Sequence, residues 1–286
     1  MPQCDVCFRR CKITEGALGF CGARTCKNGT ITAANYGKIT SLALDPIEKK
    51  PLARFYPGSM ILSVGSYGCN LRCPFCQNHE ISWSQRAMQF AETAEEITPK
   101  ELADTALYYR KKGNIGVAFT YNEPLIGWEF IRDTAKLVHE NDMKNVIVTN
   151  GTASLHVLRE LAPYIDAMNI DLKGFTDHYY KNVLGGDRQM VMEMISDAVR
   201  ICHVELTTLI VPGENDSENE IREIARWIAS LGPLYNGKSG TEVPLHISRF
   251  FPRFHMQDRP ATSVSLVYQL ADIARESLKY VYTGNC

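Results

Sequence analysis

The sequence predicts an α/β protein, a partial (β/α)6 TIM-like barrel with a small N-terminal cysteine-rich metal-binding extension. Three observations lead there. From Met60 onward, strand-like and helix-like stretches alternate six times, the pattern of a parallel sheet with its helices outside. Several strand ends carry polar residues, as a barrel mouth does. Of the ten cysteines, five crowd the first 26 residues and three more group at Cys69, Cys73 and Cys76. The 286 residues suit one large domain with an appendage. The division expected is 1–58 for the extension, with a short β-hairpin, and 59–286 for the barrel.

Composition narrows the function classes. The chain is 45% hydrophobic and 22% charged, ordinary for a folded protein and poor for a disordered one. With 31 basic and 32 acidic side chains there is no basic field, so no nucleic-acid partner is expected. No apolar run approaches the ~20 residues of a membrane helix, and MPQCDVCFRRCK lacks the apolar stretch of a signal peptide. The expected location is cytoplasmic, where disulfides are rare, so clustered cysteines point to metal coordination.

Taken in order, the extension opens with Cys4-x2-Cys7-x3-Cys11-x9-Cys21. Four thiolates in a segment too short to own a core suit a structural zinc or a second iron–sulfur cluster. Cys26 is a substitute ligand or a bystander. Gly29–Leu44 is rich in β-branched residues and predicts a short hairpin turning at Gly37. Pro46, Pro51 and Pro57 then break regular structure before the barrel. Strands are expected at Met60–Gly65, Ile115–Thr120, Asn145–Thr149, Ile165–Leu172, His203–Ile210 and Val243–Ser248, with a last one at Tyr280–Tyr282. Between them, Thr98 and Glu101 form a capping box with Pro99 at the first helical position, and Ser217 with Glu220 forms a second. Leu155–Leu161, Gln189–Cys202 and Val264–Leu278 have helical apolar spacing.

The strand ends supply the candidate site. Tyr67–Cys76 follows the first strand and Tyr121–Pro124 the second; Asn150 and Gly151 follow the third, Asp171 and Lys173 close the fourth, and His246 lies in the sixth. Six units are too few for a closed eight-unit barrel, and an open doubly wound sheet would gather ligands at the same strand ends. Within the first of these segments, Cys69-Asn-Leu-Arg-Cys73-Pro-Phe-Cys76 offers three thiolates that can hold three irons of a 4Fe–4S cluster. No fourth cysteine follows nearby, which leaves one iron open for a ligand. Zinc is the local alternative, with His79 completing a Cys3His set.

This triplet, with an aromatic residue before its last cysteine, resembles the signature of the radical S-adenosylmethionine (SAM) superfamily. The similarity extends to Tyr121-Asn122-Glu123-Pro124, Val148-Thr149-Asn150-Gly151, Asp171-Leu172-Lys173 and His246–Pro252, which resemble strand-end segments of glycyl-radical-enzyme activases such as pyruvate formate-lyase activating enzyme. The opening cysteines and the DPIEKKPL, FYPGS and GCNLRCPFCQN runs look closer still to the radical SAM enzyme of the AmmeMemoRadiSam system.

The resemblance implies an anaerobic oxidoreductase or activase-like enzyme with a 4Fe–4S cluster and SAM as cofactors. Reductive cleavage of SAM gives methionine and a 5′-deoxyadenosyl radical, which takes a hydrogen atom from a small-molecule or protein substrate. Cys69, Cys73 and Cys76 would hold the cluster. Glu123 and neighbouring backbone groups would receive the methionyl amino group, and Asn150, Asp171, Lys173 and His246 would contact the carboxylate, ribose or sulfonium region or order the loops that do so. Implied partners are a reductant protein, flavodoxin or ferredoxin, and either companion proteins of the AmmeMemoRadiSam system or a glycyl radical enzyme. Two departures stand out: Tyr121-Asn122 replaces the usual glycine pair, and Val148 stands where activases place an aspartate. A non-catalytic zinc or iron–sulfur module for electron transfer or assembly is the alternative of another class.

Overall fold

The computed structural model describes residues 1–286. The first 50 residues form β1 (Arg24–Lys27), β2 (Thr30–Ala33), β3 (Lys38–Ile39) and β4 (Ser41–Pro46). After β5 (Met60–Gly65) come α1 (His79–Ser82), α2 (Gln85–Thr93), β6 (Glu95–Glu96) and α3 (Pro99–Tyr108). Strand and helix then alternate through β7 (Asn114–Phe119), α4 (Trp128–Glu140), β8 (Lys144–Thr149), α5 (Leu155–Leu161) and β9 (Ala167–Asp171). The series continues with α6 (Arg188–Ala198), β10 (His203–Ile210), α7 (Glu218–Ala229), β11 (Leu245–Arg249), α8 (Val264–Arg275) and β12 (Val281–Gly284).

The main sheet runs β12-β11-β10-β9-β8-β7-β5-β4, parallel throughout except at β4, which pairs antiparallel with β5. β4 and β12 are its two edges, so the sheet stays open. It is the parallel sheet of a partial barrel, with six β/α units from β5 to α8 and β12 appended. The strands are buried almost end to end, β5 as Ile61–Gly65 and β7 from Gly116 to Phe119, because helices cover them outside and the lumen is filled inside. The expected boundary at 58 falls between β4 and β5, so the last strand of the amino-terminal segment pairs with the first strand of the barrel.

The hairpin lies earlier than the sequence predicted. It joins β1 to β2 through Asn28 (φ 52°) and Gly29 (φ 73°), not through Gly37. Both turn residues have positive φ, the requirement of the tight turn that matches strand twist, and Asn-Gly meets it best. Glu15 fastens this turn by accepting from the N–H groups of Asn28 and Gly29 at 2.7 and 3.1 Å.

The capping box at Thr98 and Glu101 forms with both reciprocal bonds and Pro99 behind it. At α7 only half of the expected box exists. Ser217 Oγ accepts from Glu220 N, but the Glu220 carboxylate turns inward to accept from Phe175 N at 2.6 Å.

The lower end of the barrel is closed by Ile47, Leu52 and Phe55, packed against Ile61, Ala118, Val146 and Ala167 of β5, β7, β8 and β9. Gly116, beside Lys144 in the β7–β8 ladder, shows how close the backbones run: a Cβ there would stand 1.8 Å from Lys144 O. Gly116→Ala is expected to destabilise the fold by about 3 kcal/mol or more, measured by urea unfolding, because the obstacle is backbone and cannot swing aside.

Candidate functional site

The loop after β5 carries the cysteine triplet to the upper end of the barrel. Gly68 sets its course with φ 93°, where any side chain would press on Cys21 O at 2.7 Å. Beyond it the loop is tied on several sides. Cys69 N donates to Cys21 O at 3.2 Å and Arg72 N to Leu184 O at 2.8 Å. The buried Asn70 amide donates to Thr152 O at 3.1 Å and accepts from Asn150 Nδ2 at 3.0 Å. So held, Cys69, Cys73 and Cys76 line one wall of a cavity of about 290 Å³ at the C-terminal ends of the strands.

The facing wall is polar and comes from the ends of β7, β8, β9 and β11. Glu123, 3% exposed, receives Thr149 Oγ1 at 2.6 Å, Asn150 N at 2.7 Å and Leu125 N at 3.1 Å. Burial raises its pKa to about 7, against the pull of those three donors. A cation entering the cavity would restore the penalised charge. Asn150 also points its amide at Cys69 Sγ, 3.7 Å away. Lys173 Nζ donates to Asp171 Oδ2 at 2.7 Å. Burial opposes the lysine charge, but the Asp171 carboxylate and, when ionised, the Cys73 thiolate outweigh it and hold the pKa above the ordinary lysine value. Burial likewise pushes up the thiols, Cys73 to about 12, so thiolate ligation at this site displaces protons.

The structure therefore brings Cys69, Cys73, Cys76, Glu123, Asn150, Asp171 and Lys173 to one cavity. His246 does not join them. It is the second residue of β11, too far down the strand to reach the mouth, and its Nε2 pairs with Glu205 Oε2 at 2.6 Å. Two residues further on, Ser248 takes the place at the cavity. His79 also points elsewhere: its ring stacks on Phe254 with centroids 4.1 Å apart. It does not complete a Cys3His set. Thr149 and Thr207 line the cavity and Asn70 holds Asn150 from behind it; sequence reasoning missed all three. Asn70 and Thr149 had a signal, being polar residues inside the motifs already singled out; Thr207, mid-strand in β10, had none.

In the amino-terminal segment Cys4, Cys7, Cys11 and Cys21 line a separate small pocket. Cys26 faces away from it, its Sγ 3.4 Å from Glu15 Oε2. All ten cysteines are free thiols. In neither group do three ligand-type side chains already converge at the spacing of a single ion. What the triplet offers is a soft three-sulfur wall with Leu71 N at 3.4 Å from Cys69 Sγ, and opposite it a carboxylate and an ammonium. That donor set fits a thiolate-held iron–sulfur cluster, with room at its open side for a zwitterionic ligand.

A parallel partial barrel with a C-x3-C-x2-C loop at its mouth defines a class of iron–sulfur cofactor proteins. Comparison with known proteins agrees: the model of the radical SAM superfamily matches residues 63–228. An uncharacterized protein of Methanocaldococcus jannaschii is 40% identical over 99% of this chain and 81% of its own length. The pyruvate formate-lyase-activating enzyme of Clostridium pasteurianum is 31% identical over 57% of this chain and 67% of that enzyme. Among solved structures, Streptococcus suis SuiB bound to precursor peptide SuiA superposes with a TM-score of 0.59 at 14% identity, covering 84% of this chain and 51% of SuiB. The last is a likeness of fold alone. The chain belongs to the radical SAM superfamily and is homologous, at low identity, to pyruvate formate-lyase-activating enzymes.

Proposed function

We propose that this protein is an enzyme that uses a 4Fe–4S cluster on Cys69, Cys73 and Cys76 to cleave SAM and abstract a hydrogen atom from a small-molecule or protein substrate. The carrying observation is that three thiols and the Glu123, Asn150, Asp171 and Lys173 side chains face each other across one cavity. When bound, the cluster and SAM supply the one-electron chemistry that makes the deoxyadenosyl radical. The chain does the rest. Glu123, fixed by Thr149 and Asn150, offers the anionic position for the methionyl ammonium. Lys173, oriented by Asp171, offers charge and donors to a carboxylate or ribose hydroxyls. Asn150 couples the two walls through Asn70 and Cys69.

The branch this reading favours is the AmmeMemoRadiSam type, working in the cytoplasm with companion proteins, a flavodoxin- or ferredoxin-like reductant and a second metal on the amino-terminal cysteines. The similarity to the Clostridium pasteurianum activating enzyme covers 57% of the chain, whereas that to the Methanocaldococcus jannaschii protein covers 99%. An activase acting on a partner glycine is the competing assignment.

Anaerobic reconstitution, reduction and chromatographic detection of 5′-deoxyadenosine test the chemistry, and deuterium transfer from candidate substrates identifies the target. An iron-loaded, reduced, SAM-binding protein that forms no 5′-deoxyadenosine would refute the assignment. Lys173→Met should weaken SAM binding by about 10–30-fold, since it removes the cation and leaves Asp171 unpaired. Equilibrium dialysis at unchanged iron content measures this; an unaltered Kd removes Lys173 from the binding set.

A further inference from the structure

We infer that Cys4, Cys7, Cys11 and Cys21 hold a second iron–sulfur cluster, and that it is the electron inlet for the site at Cys69, Cys73 and Cys76; the inference rests on the radical SAM reading of that triplet. Four thiols around one pocket can take either zinc or an iron–sulfur cluster. Two features of the structure separate these possibilities.

The first is that the segment packs on the barrel through contacts other than its thiols. Cys4, Val6 and Ile13 belong to the main hydrophobic core. Cys4 N donates to Cys11 O at 2.8 Å, Ser154 N to Val6 O at 2.8 Å, and Cys7 bridges to Ala153. A structural zinc finds its usual reason in segments that lack such a core.

The second is where the pocket lies. Cys21, a wall of the four-thiol pocket, accepts a backbone hydrogen bond from Cys69, the first thiol of the triplet, at 3.2 Å. Arg72 doubles the connection, donating to Cys69 O at 2.8 Å and to Phe20 O at 2.6 Å. Arg9 adds a third tie, from its Nε to Asn70 O at 3.2 Å. Both guanidiniums stack on the Phe20 ring, 3.7 and 3.8 Å from its centroid, and place positive charge between two sulfur sites that would carry net negative charge. Phe20 itself is 41% exposed, so this end of the path opens to solvent beside the thiols. One covalent and hydrogen-bonded route thus leads from the surface through Cys21 to Cys69. Zinc, without redox chemistry, would have no use for it. One electron enters from a reduced one-electron protein donor, which is oxidised, and one electron leaves toward the triplet; no atom or proton is transferred.

The test uses the full chain, reconstituted anaerobically with iron and sulfide in the presence of zinc. The wild-type protein should bind about eight irons and no stoichiometric zinc. Reduced, it should give two electron-paramagnetic-resonance signals, of which SAM alters one. The double variant Cys7→Ser, Cys11→Ser should keep about four irons and the SAM-responsive signal. Reduced flavodoxin should generate that signal about tenfold more slowly than in the wild type, while titanium(III) citrate generates it at an unchanged rate. One zinc beside a single SAM-responsive cluster in the wild type overturns the inference alone, whatever the variant's folding. Equal rates with flavodoxin overturn the inlet role. Two clusters, neither answering to SAM, overturn it together with the radical SAM reading.

Discussion

Cys73→Ala is expected to reduce 5′-deoxyadenosine formation to the level of reductant and SAM without protein. Cys73 is buried at the cavity wall, between Cys69 and Cys76 in a loop fixed by Arg72 and Asn70. Removing one of three thiolates leaves two, and no other cysteine can move in. Cys202 lies in the core at the start of β10, and Cys4, Cys7, Cys11 and Cys21 face their own pocket. Iron analysis should show the loss of about four irons per chain. The fold should survive, because the loop's ties run through backbone groups, Arg72 and Asn70 rather than through the Cys73 sulfur. Cys202→Ala serves as the control: it trims a buried thiol, costs about 1 kcal/mol and leaves product formation intact. Full activity in Cys73→Ala would remove the triplet from the chemistry.

The second large effect is on stability and lies at the other end of the barrel. Glu205→Ala should destabilise the protein by about 3–5 kcal/mol, read from urea unfolding. Glu205 is fully buried, and its carboxylate gathers four donors: His203 Nε2 at 2.9 Å, His246 Nε2 at 2.6 Å, Ala53 N at 2.9 Å and Arg54 N at 2.7 Å. It clamps the segment that closes the barrel floor to β10 and β11, and Asn169 assists by donating to Pro51 O at 2.8 Å. Burial works to raise its pKa, but the histidine bonds, the His246 charge and the Ala53 N–H together lower it to about 2. A carboxylate whose pKa is depressed on folding stabilises the native state above its unfolded value near 4.5 and loses that contribution as pH falls toward 2. The wild-type protein should therefore lose about 3 kcal/mol across that window. The variant should show a shallower fall, and an equally steep one would assign the acid sensitivity elsewhere.

Much of this was legible in the chain. Met60–Gly65 and His203–Ile210 are strands with the expected bounds, since runs dominated by β-branched and apolar residues mark strands buried on both faces. The three-cysteine loop and the Glu123, Asn150, Asp171 and Lys173 positions were readable because residues just past a barrel strand have one place to go, the common mouth. His246 shows the limit of that rule. Lying in a strand is not ending one, and its depth in β11 depends on where pairing with β10 begins, Leu206 opposite Leu245. The carboxyl end of the sixth helix was also overextended: α6 stops at Ala198, since the chain must turn before β10 although the apolar spacing continues to Cys202.

The amino-terminal segment divides sequence from tertiary structure most clearly. Local chemistry alone dictated the four-thiol spacing and the tight Asn28-Gly29 turn. It could not show that Ser41–Pro46 completes the barrel sheet, since that pairing is decided by β5. Nor could it show that Cys21 lies one hydrogen bond from Cys69, 48 positions along the chain. By itself the sequence determined where the candidate thiols, carboxylates and ammonium group stand along the chain, because spacing and residue type are local properties. Only the tertiary structure decided which of them share a cavity, which serve the floor, and that the two cysteine groups are neighbours. Those distances are set by core packing and strand register, which involve the whole chain at once.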